Sequence, residues 1–373
     1  MDYCLSRNNF SRRALLAGAA MPLVRGEAKT IAEISKHPEF YHGWPTLARR
    51  ANGDLLVVYS GGRESHVCPF GRVELIRSHD EGKTWNWPEV LMDSAIDDRD
   101  AGVCETAKGS LLVSTFTSLA YEAPLKNSAK WDAEKRLRWE AANSRVSEAE
   151  RKAMLGTWLL RSEDGGKFWS APFRVPVNSP HGPVPLSKGR LLYVGKKLWD
   201  AGSAVGACLS VDDGRTWRWL SAIPARKGDD VSQYHELHAV EAKDGTIVVH
   251  IRNHNKPNAG ETLQCESRDA GKTWTEPHAI GVWGLPSHLL RLRDGRLLMS
   301  YGYRRAPFGN QARVSADNGK TWGEAVTISD DGASGDLGYP STVETADGGL
   351  ITVWYELPRG GTKAQLRMAR WRV

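Results

Sequence analysis

Cysteine is scarce in this chain. Five residues of 373 are Cys (Cys4, Cys68, Cys104, Cys208 and Cys265), and none falls in a CxxC or Cys/His ligand spacing. That excludes a structural zinc module and gives no disulfide framework to expect. Past residue 28, the remaining four read as small buried hydrophobes. Charge of one sign is lacking too. Lys and Arg number 50 against 44 Asp and Glu, a net of +6 with no basic cluster, which is too mild for a nucleic-acid partner. Long apolar runs are missing after the first 28 residues, so no membrane insertion is expected there. Nothing in the chain calls for a cofactor or a metal. The length admits one large all-β domain or two or three ordinary ones.

The first 28 residues read apart from the rest. SRRALLAGAAMPLV sets Arg12 and Arg13 ahead of an apolar run from Ala14 to Val24, the pattern of a twin-arginine export signal. Cleavage is expected near Gly26–Ala28, with a periplasmic or extracellular mature protein over residues 29–373. Residues 1–28 carry four Arg against two acids, so the mature part keeps +4 of the +6.

What is abundant is Trp, at 15, and Gly, at 37, a pairing that points to many turns with a recurring aromatic. The recurrence is explicit. SHDEGKTW (78–85), SEDGGKFW (162–169), SVDDGRTW (210–217), SRDAGKTW (267–274) and SADNGKTW (315–322) share Ser-x-Asp-x-Gly-x-Thr-Trp. In such a turn Asp accepts backbone N–H groups, Gly takes a positive φ and Trp anchors by burial. A second repeat lies between: NGDLLVVYSG, KGSLLVSTF, KGRLLYVG, DGTIVVHIR, DGRLLMSYG and DGGLITVWYE. Each places a turn glycine before an apolar strand, so each unit reads as an A–B hairpin followed by a C–D hairpin. Six units of four strands predict an all-β six-bladed propeller. The sixth unit has no Asp turn, and its RMARWRV tail is expected to meet the strand near Thr30–Ser35 and close the ring. Unit 2 carries a long charged segment, about Tyr121 to Leu155, with a Ser147–Glu150 capping pair, read as a helical insertion between strands B and C.

Aligning the units on their turn glycines (Gly53, Gly109, Gly189, Gly245, Gly295 and Gly348) puts Trp44, Asp100, Pro180, Glu236, Pro286 and Tyr339 nine residues earlier. His42, Arg99, His181, His235, His238 and His288 lie close to that position. At the B-strand ends stand Arg63, Lys196, Lys197, Arg252, Arg304 and Arg305. A propeller brings both sets to one end of its axis, so the expectation is a cationic pocket for an anion held by guanidinium forks.

The Ser-x-Asp-x-Gly-x-Thr-Trp element is the Asp box, and the chain resembles the sialidase (neuraminidase) family over about its whole mature length. The resemblance implies a glycosidase with a Tyr nucleophile assisted by Glu, three arginines on a substrate carboxylate and an Asp acid/base. By that resemblance Tyr339 and Glu236 are the catalytic pair and Arg252 the second arginine. Arg304 or Arg305 is the third, with Arg313 as an alternative. Two departures stand out. The opening stretch YHGWPTLA offers His42 or Trp44 where the first arginine is expected. The loop GGRESHVCPFGRVELIRS offers Glu64 and His66 where the acid/base Asp is expected, with Asp100 in reserve. Arg252, Arg304, Arg63, His42, Asp100, His181 and His238 make the expected substrate-binding set. Three functions fit: a sialidase-like exo-glycosidase on an anionic glycan, a lyase or other glycosidase on uronate glycans using His and Tyr, and a non-catalytic propeller that binds sugar or protein.

Overall fold

Alternation within single strands dictates the architecture. In LLVVY at the start of Leu55–Arg63, Leu55, Val57 and Tyr59 belong to one buried cluster, while Leu56 and Val58 belong to another. Successive side chains of a strand point to opposite faces, so this strand carries a core on each side. The computed structural model describes residues 30–199 and 204–373, and in it the pattern recurs. Six four-stranded antiparallel sheets share six apolar clusters, one between each pair of neighbouring blades. The expected export segment and Cys4 lie outside the described residues.

The innermost (A) strands are Tyr41–Arg49, Asp97–Glu105, Val184–Pro185, Tyr234–Glu241, Ser287–Arg291 and Leu337–Glu344. They pack on one another around the axis. Their B partners are Leu55–Arg63, Leu111–Ser118, Leu191–Lys196, Ile247–Asn253, Leu297–Tyr303 and Leu350–Glu356. Thr30–Glu33 pairs antiparallel with the last strand, Gln365–Trp371, as the outer strand of blade 6, with Thr30 opposite Arg370. The ring is therefore closed by joining the two ends of the described chain, as the sequence pattern predicts.

All five Asp boxes sit on C–D turns. In the first, Asp80 accepts from the Thr84 amide at 2.9 Å and from the Thr84 hydroxyl at 2.7 Å, and the Gly82 amide donates to Ser78 at 2.7 Å. The second box has Phe168 in place of Thr, so Asp164 loses the hydroxyl bond from that position but keeps those from the Lys167 and Phe168 amides and the Ser162 hydroxyl, and the phenyl ring is exposed. The four described cysteines are buried and unpaired. No helix among the described residues is long and apolar enough to cross a membrane.

The insertion in blade 2 forms helices Glu122–Lys126, Ala133–Asn143 and Glu148–Ala153. Asp132 caps the second, and Ser147 with Glu150 completes a capping box on the third. Trp139 and Tyr121 pack with Cys68 and Ile96, and Val67 and Phe70 cover the cluster. The helices thus lie on the B–C loop of blade 1, at the end of the axis where the A strands begin.

Candidate active site

The pocket residues reach the axis by a shared backbone device. In blades 1, 2, 4 and 6 the A–B register slips so that two A-strand residues oppose one B-strand residue. Such a bulge re-aims a side chain. Trp44, Asp100 and Tyr339 occupy it with φ of 54°, 44° and 53°, a region that bulky residues seldom adopt. Glu236 occupies the matching bulge of blade 4. Trp44 and Tyr339 each stand between a Gly and a Pro, and this Gly-aromatic-Pro repeat is the sequence signal of the device.

Two of these bulges, those of blades 4 and 6, meet at Arg252 of the blade 4 B strand. The Tyr339 hydroxyl donates to Glu236 Oε1 at 2.7 Å. Arg252 Nη1 donates to the same oxygen at 2.8 Å and to the Tyr339 hydroxyl at 3.2 Å. Glu236 Oε2 is buried with no partner among the described residues. Burial pushes the Glu236 carboxyl upward, but the Arg252 charge and the Tyr339 hydroxyl outweigh it and hold it at about 2. Burial, then the charges of Glu236 and Asp100, lift the Tyr339 phenol well above its ordinary value, against Arg252 and Arg304. The resting pair is therefore a neutral phenol on a carboxylate. Arg252 Nε also donates to His254 Nε2 at 2.8 Å, which leaves that ring nitrogen unprotonated.

Two further groups border this centre. Arg304 hangs from the Leu337 carbonyl by its Nε at 2.9 Å, and its guanidinium lies 5.8 Å from the Tyr339 ring centre. Its Nη atoms make no hydrogen bond among the described residues. Asp100 is buried, with an unpartnered Oδ1. Burial, and then Glu236, raise its carboxyl to about 7, against the pull of Arg99, Arg63 and Arg252.

Other candidates have different surroundings. Arg63 is wholly buried and forks onto Asp97, at 2.6 Å and 2.9 Å, beneath the pocket rather than in it. Its reading as a substrate clamp gives way because its donors are used within the protein. Glu64 accepts from Arg138 Nε at 3.0 Å and from Trp139 Nε1 at 2.8 Å, so both its oxygens tie the insertion to blade 1. His42 is buried against Tyr59 and Ser35 where the ring closes. Trp44 holds the expected first-arginine position, with the guanidinium of Arg99 4.3 Å and that of Arg63 4.9 Å from its ring. Arg313 is engaged with Tyr301 and Gly323 at the outer part of blade 5. The Arg305 guanidinium lies over Trp283, 3.6 Å from its ring centre.

His181 and His238 join His288 in a buried trio on the axis, with ring centres 4.5–5.3 Å apart and His181 6.4 Å from the Tyr339 ring. The Leu289 amide donates to His238 Nδ1 at 2.8 Å. Burial holds all three rings neutral, His181 down at about 3. A cavity of about 490 Å³ leads from them to the opposite end of the axis, lined by the later halves of the A strands. These histidines form the floor between the two ends.

His66 lies on the pocket wall, its side chain about half exposed, edge-on to Trp44 at 5.0 Å. Its Nδ1 is 3.0 Å from Asp336 Oδ1 and 2.9 Å from the Tyr41 hydroxyl. Asp336 also accepts from Tyr41 at 3.0 Å and from Tyr355 at 3.2 Å. Asp336 was not among the residues expected from sequence. It lies in a loop just ahead of an A strand, outside the aligned position, and no repeat marks it. No group of His, Cys, Asp and Glu among the described residues is arranged to hold a metal ion.

Comparison with known proteins bears on this geometry. The BNR repeat-like domain family matches residues 120–353, more than half of the chain. A sialidase of Bacteroides fragilis (strain YCH46) is 25% identical over 346 residues, covering 84% of this chain and 59% of its own length. The chain thus spans well under two thirds of that relative. A crystal structure of a protein of unknown function from Dyadobacter fermentans DSM 18053 superposes with a TM-score of 0.75 at 22% identity, over 92% of this chain and 98% of its own. The Hadza microbial sialidase Hz136 superposes with a TM-score of 0.62 at 18% identity, over 88% and 65%. These two likenesses are of fold.

Proposed function

The chain belongs to the BNR repeat-like domain family and is a sialidase-superfamily propeller, and from that premise we propose that it is a retaining exo-glycosidase acting on an anionic glycan. The observation that carries this reading is the Tyr339–Glu236–Arg252 contact. A phenol 2.7 Å from a buried carboxylate, with a guanidinium on both, is a nucleophile with a base and a counter-charge.

In the first step the Tyr339 oxygen attacks the anomeric carbon and its proton passes to Glu236 Oε1. Since the free phenol is a weak acid, attack and proton transfer are coupled, and the positive charge growing on the sugar drives both. Meanwhile His66 gives a proton to the glycosidic oxygen, whose bond to carbon breaks and releases the aglycone alcohol. In the second step neutral His66 takes a proton from water, the water oxygen bonds to the anomeric carbon, and the Tyr339–carbon bond breaks. Glu236 then returns the proton to Tyr339. The sum is glycoside plus water giving the aglycone alcohol and the free sugar, with the anomeric configuration kept.

Arg252 and Arg304 supply two cations for a carboxylate, and Trp44 stands where a third would be expected. A two-arginine clamp fits a sialic-acid-like or a uronic-acid group. Asp100, held protonated up to about neutral pH, is suited to donate a hydrogen bond to a substrate oxygen. Export by the twin-arginine-type segment would place the enzyme with external glycans.

The test is a screen of the protein, freed of residues 1–28, on sialosides and uronate-terminated oligosaccharides beside Tyr339→Phe. Release of a saturated anionic sugar, lost in Tyr339→Phe, is the expected result. An unsaturated uronate product would instead support a lyase. Sugar binding without turnover would support a binding propeller.

A further inference from the structure

We propose that Asp336 is the positioning residue of a His66–Asp336 dyad, and that this dyad takes the place of the acid/base carboxylic acid. The inference rests on the glycosidase reading above and adds to it the atom that moves the proton and the group that aims it.

The hydrogen bonding around Asp336 assigns that atom. The Tyr41 hydroxyl donates its single proton to Asp336, at 3.0 Å and 3.1 Å from the two oxygens. It has none left for His66 Nδ1. The 3.0 Å contact between His66 Nδ1 and Asp336 Oδ1 is then filled by a proton on Nδ1. That leaves Nε2, which has no hydrogen bond among the described residues, as the nitrogen that gains and loses a proton. A carboxylate behind one imidazole nitrogen fixes the tautomer and aims the other. Asp336 is suited to stay ionised: burial pushes its carboxyl up, but His66, Tyr41 and Tyr355 together hold it below its ordinary value.

The ring is also held in place from two sides. Its faces are bounded by Trp44 at 5.0 Å and Tyr41 at 5.9 Å, both edge-on. Its backbone carbonyl accepts from Arg63 Nη2 and Arg99 Nη1, each at 3.1 Å. Two residues earlier Glu64 is gripped by Arg138 and Trp139 of the insertion. The buried Arg63–Asp97 pair and the helices thus share a task, which is to fix the loop that carries His66. Tyr355, bonded to Asp336, lies tilted against Tyr339 with ring centres 5.9 Å apart and joins the dyad's wall to the nucleophile's.

The dyad is tested by leaving-group dependence. A general acid matters when the departing alcohol is a poor leaving group and little when it is a nitrophenol that departs unaided. The full mature chain, Asp336→Asn and His66→Gln are compared on a nitrophenyl glycoside and on an oligosaccharide of the same anionic sugar. Asp336→Asn is expected to lose about 10²-fold or more on the oligosaccharide and less than about tenfold on the nitrophenyl glycoside. His66→Gln should show the same split, and it supplies the test should Asp336→Asn fail to fold. Tyr41→Phe, which keeps the His66–Asp336 contact, should not show it. Equal losses on both substrates in the two dyad variants, or no loss, would overturn the dyad while leaving Tyr339 and Glu236 in place. A wild-type chain inert on every glycoside would sink the glycosidase reading and the dyad with it.

Discussion

Arg63 and Arg252 stand at matching places, at the far ends of the B strands of blades 1 and 4. Each is buried against a carboxylate from the start of an A strand: Asp97 for Arg63 and Glu236 for Arg252. Asp97, however, uses both oxygens on Arg63, and the remaining Arg63 donors reach Ser60 and the carbonyls of Ser65, His66 and Asp98. Neither side chain of that pair is exposed. Glu236 loads Arg252 and Tyr339 onto one oxygen and leaves the other without a partner among the described residues, and its pair keeps 13% and 19% exposure. The first arrangement is closed and complete. The second holds unsatisfied valence toward a pocket, which costs stability and is kept where something else is to bind.

The largest expected effects come from exchanging the fates of the two pairs. Glu236→Gln should cut kcat/KM by about 10²–10⁴-fold with a melting temperature near that of the wild type. Asp97→Asn should instead leave a buried guanidinium half-paired, destabilising the fold by about 3–5 kcal/mol in chemical denaturation. Activity of the fraction that stays folded should fall much less. Were Asp97→Asn harmless to stability, or Glu236→Gln strongly destabilising, the division into closed and open pairs would be mistaken.

Arg252→Lys should follow. An ammonium can hold the charge near Glu236 but cannot serve Glu236, Tyr339 and a substrate carboxylate as a fork. The loss of a charge-assisted bond of about 1.5–3 kcal/mol would show as roughly a 10–100-fold drop in kcat/KM. A neutral analogue of the substrate should lose less, and an equal loss on both would mean that Arg252 does not bind the anion.

The last effect is one of stability against pH, spread over several pH units. Asp100 titrates at about 7 in the fold against an ordinary 3.8. A raised pKa means that the fold binds this proton more tightly than the unfolded chain does. The resulting stability is present below about pH 4 and is lost as pH rises towards 7, with a ceiling of about 4 kcal/mol. Asp100→Asn removes that dependence, so the variant should gain on the wild type between pH 4 and pH 8. Parallel stability curves would show that the Asp100 carboxyl is not held protonated.

Periodicity explains what could be read from the chain. Strand number, blade order and ring closure follow from repeats that each blade must satisfy locally. The alignment on turn glycines found Trp44, Asp100, Glu236 and Tyr339 because one bulge serves several blades. It could not separate Arg63 from Arg252, since the difference lies in how many lone pairs each carboxylate spends, and that depends on neighbours from other blades. Glu64 was ambiguous for the same reason: its partners Arg138 and Trp139 lie more than 70 residues away, in the insertion. Asp336 carried no sequence signal, because its three partners Tyr41, His66 and Tyr355 come from two different blades and one loop.

In the proposed reaction everything turns on the Tyr339 oxygen forming the bond to the sugar. The direct measurement is to treat the protein with a fluorinated glycosyl fluoride of the anionic sugar it turns over, then locate the trapped adduct by peptide mass spectrometry. One sugar per chain is expected, on Tyr339, and none in Tyr339→Phe. A stable adduct on any other residue, or turnover of the reagent to a product of inverted configuration with no adduct, would contradict it.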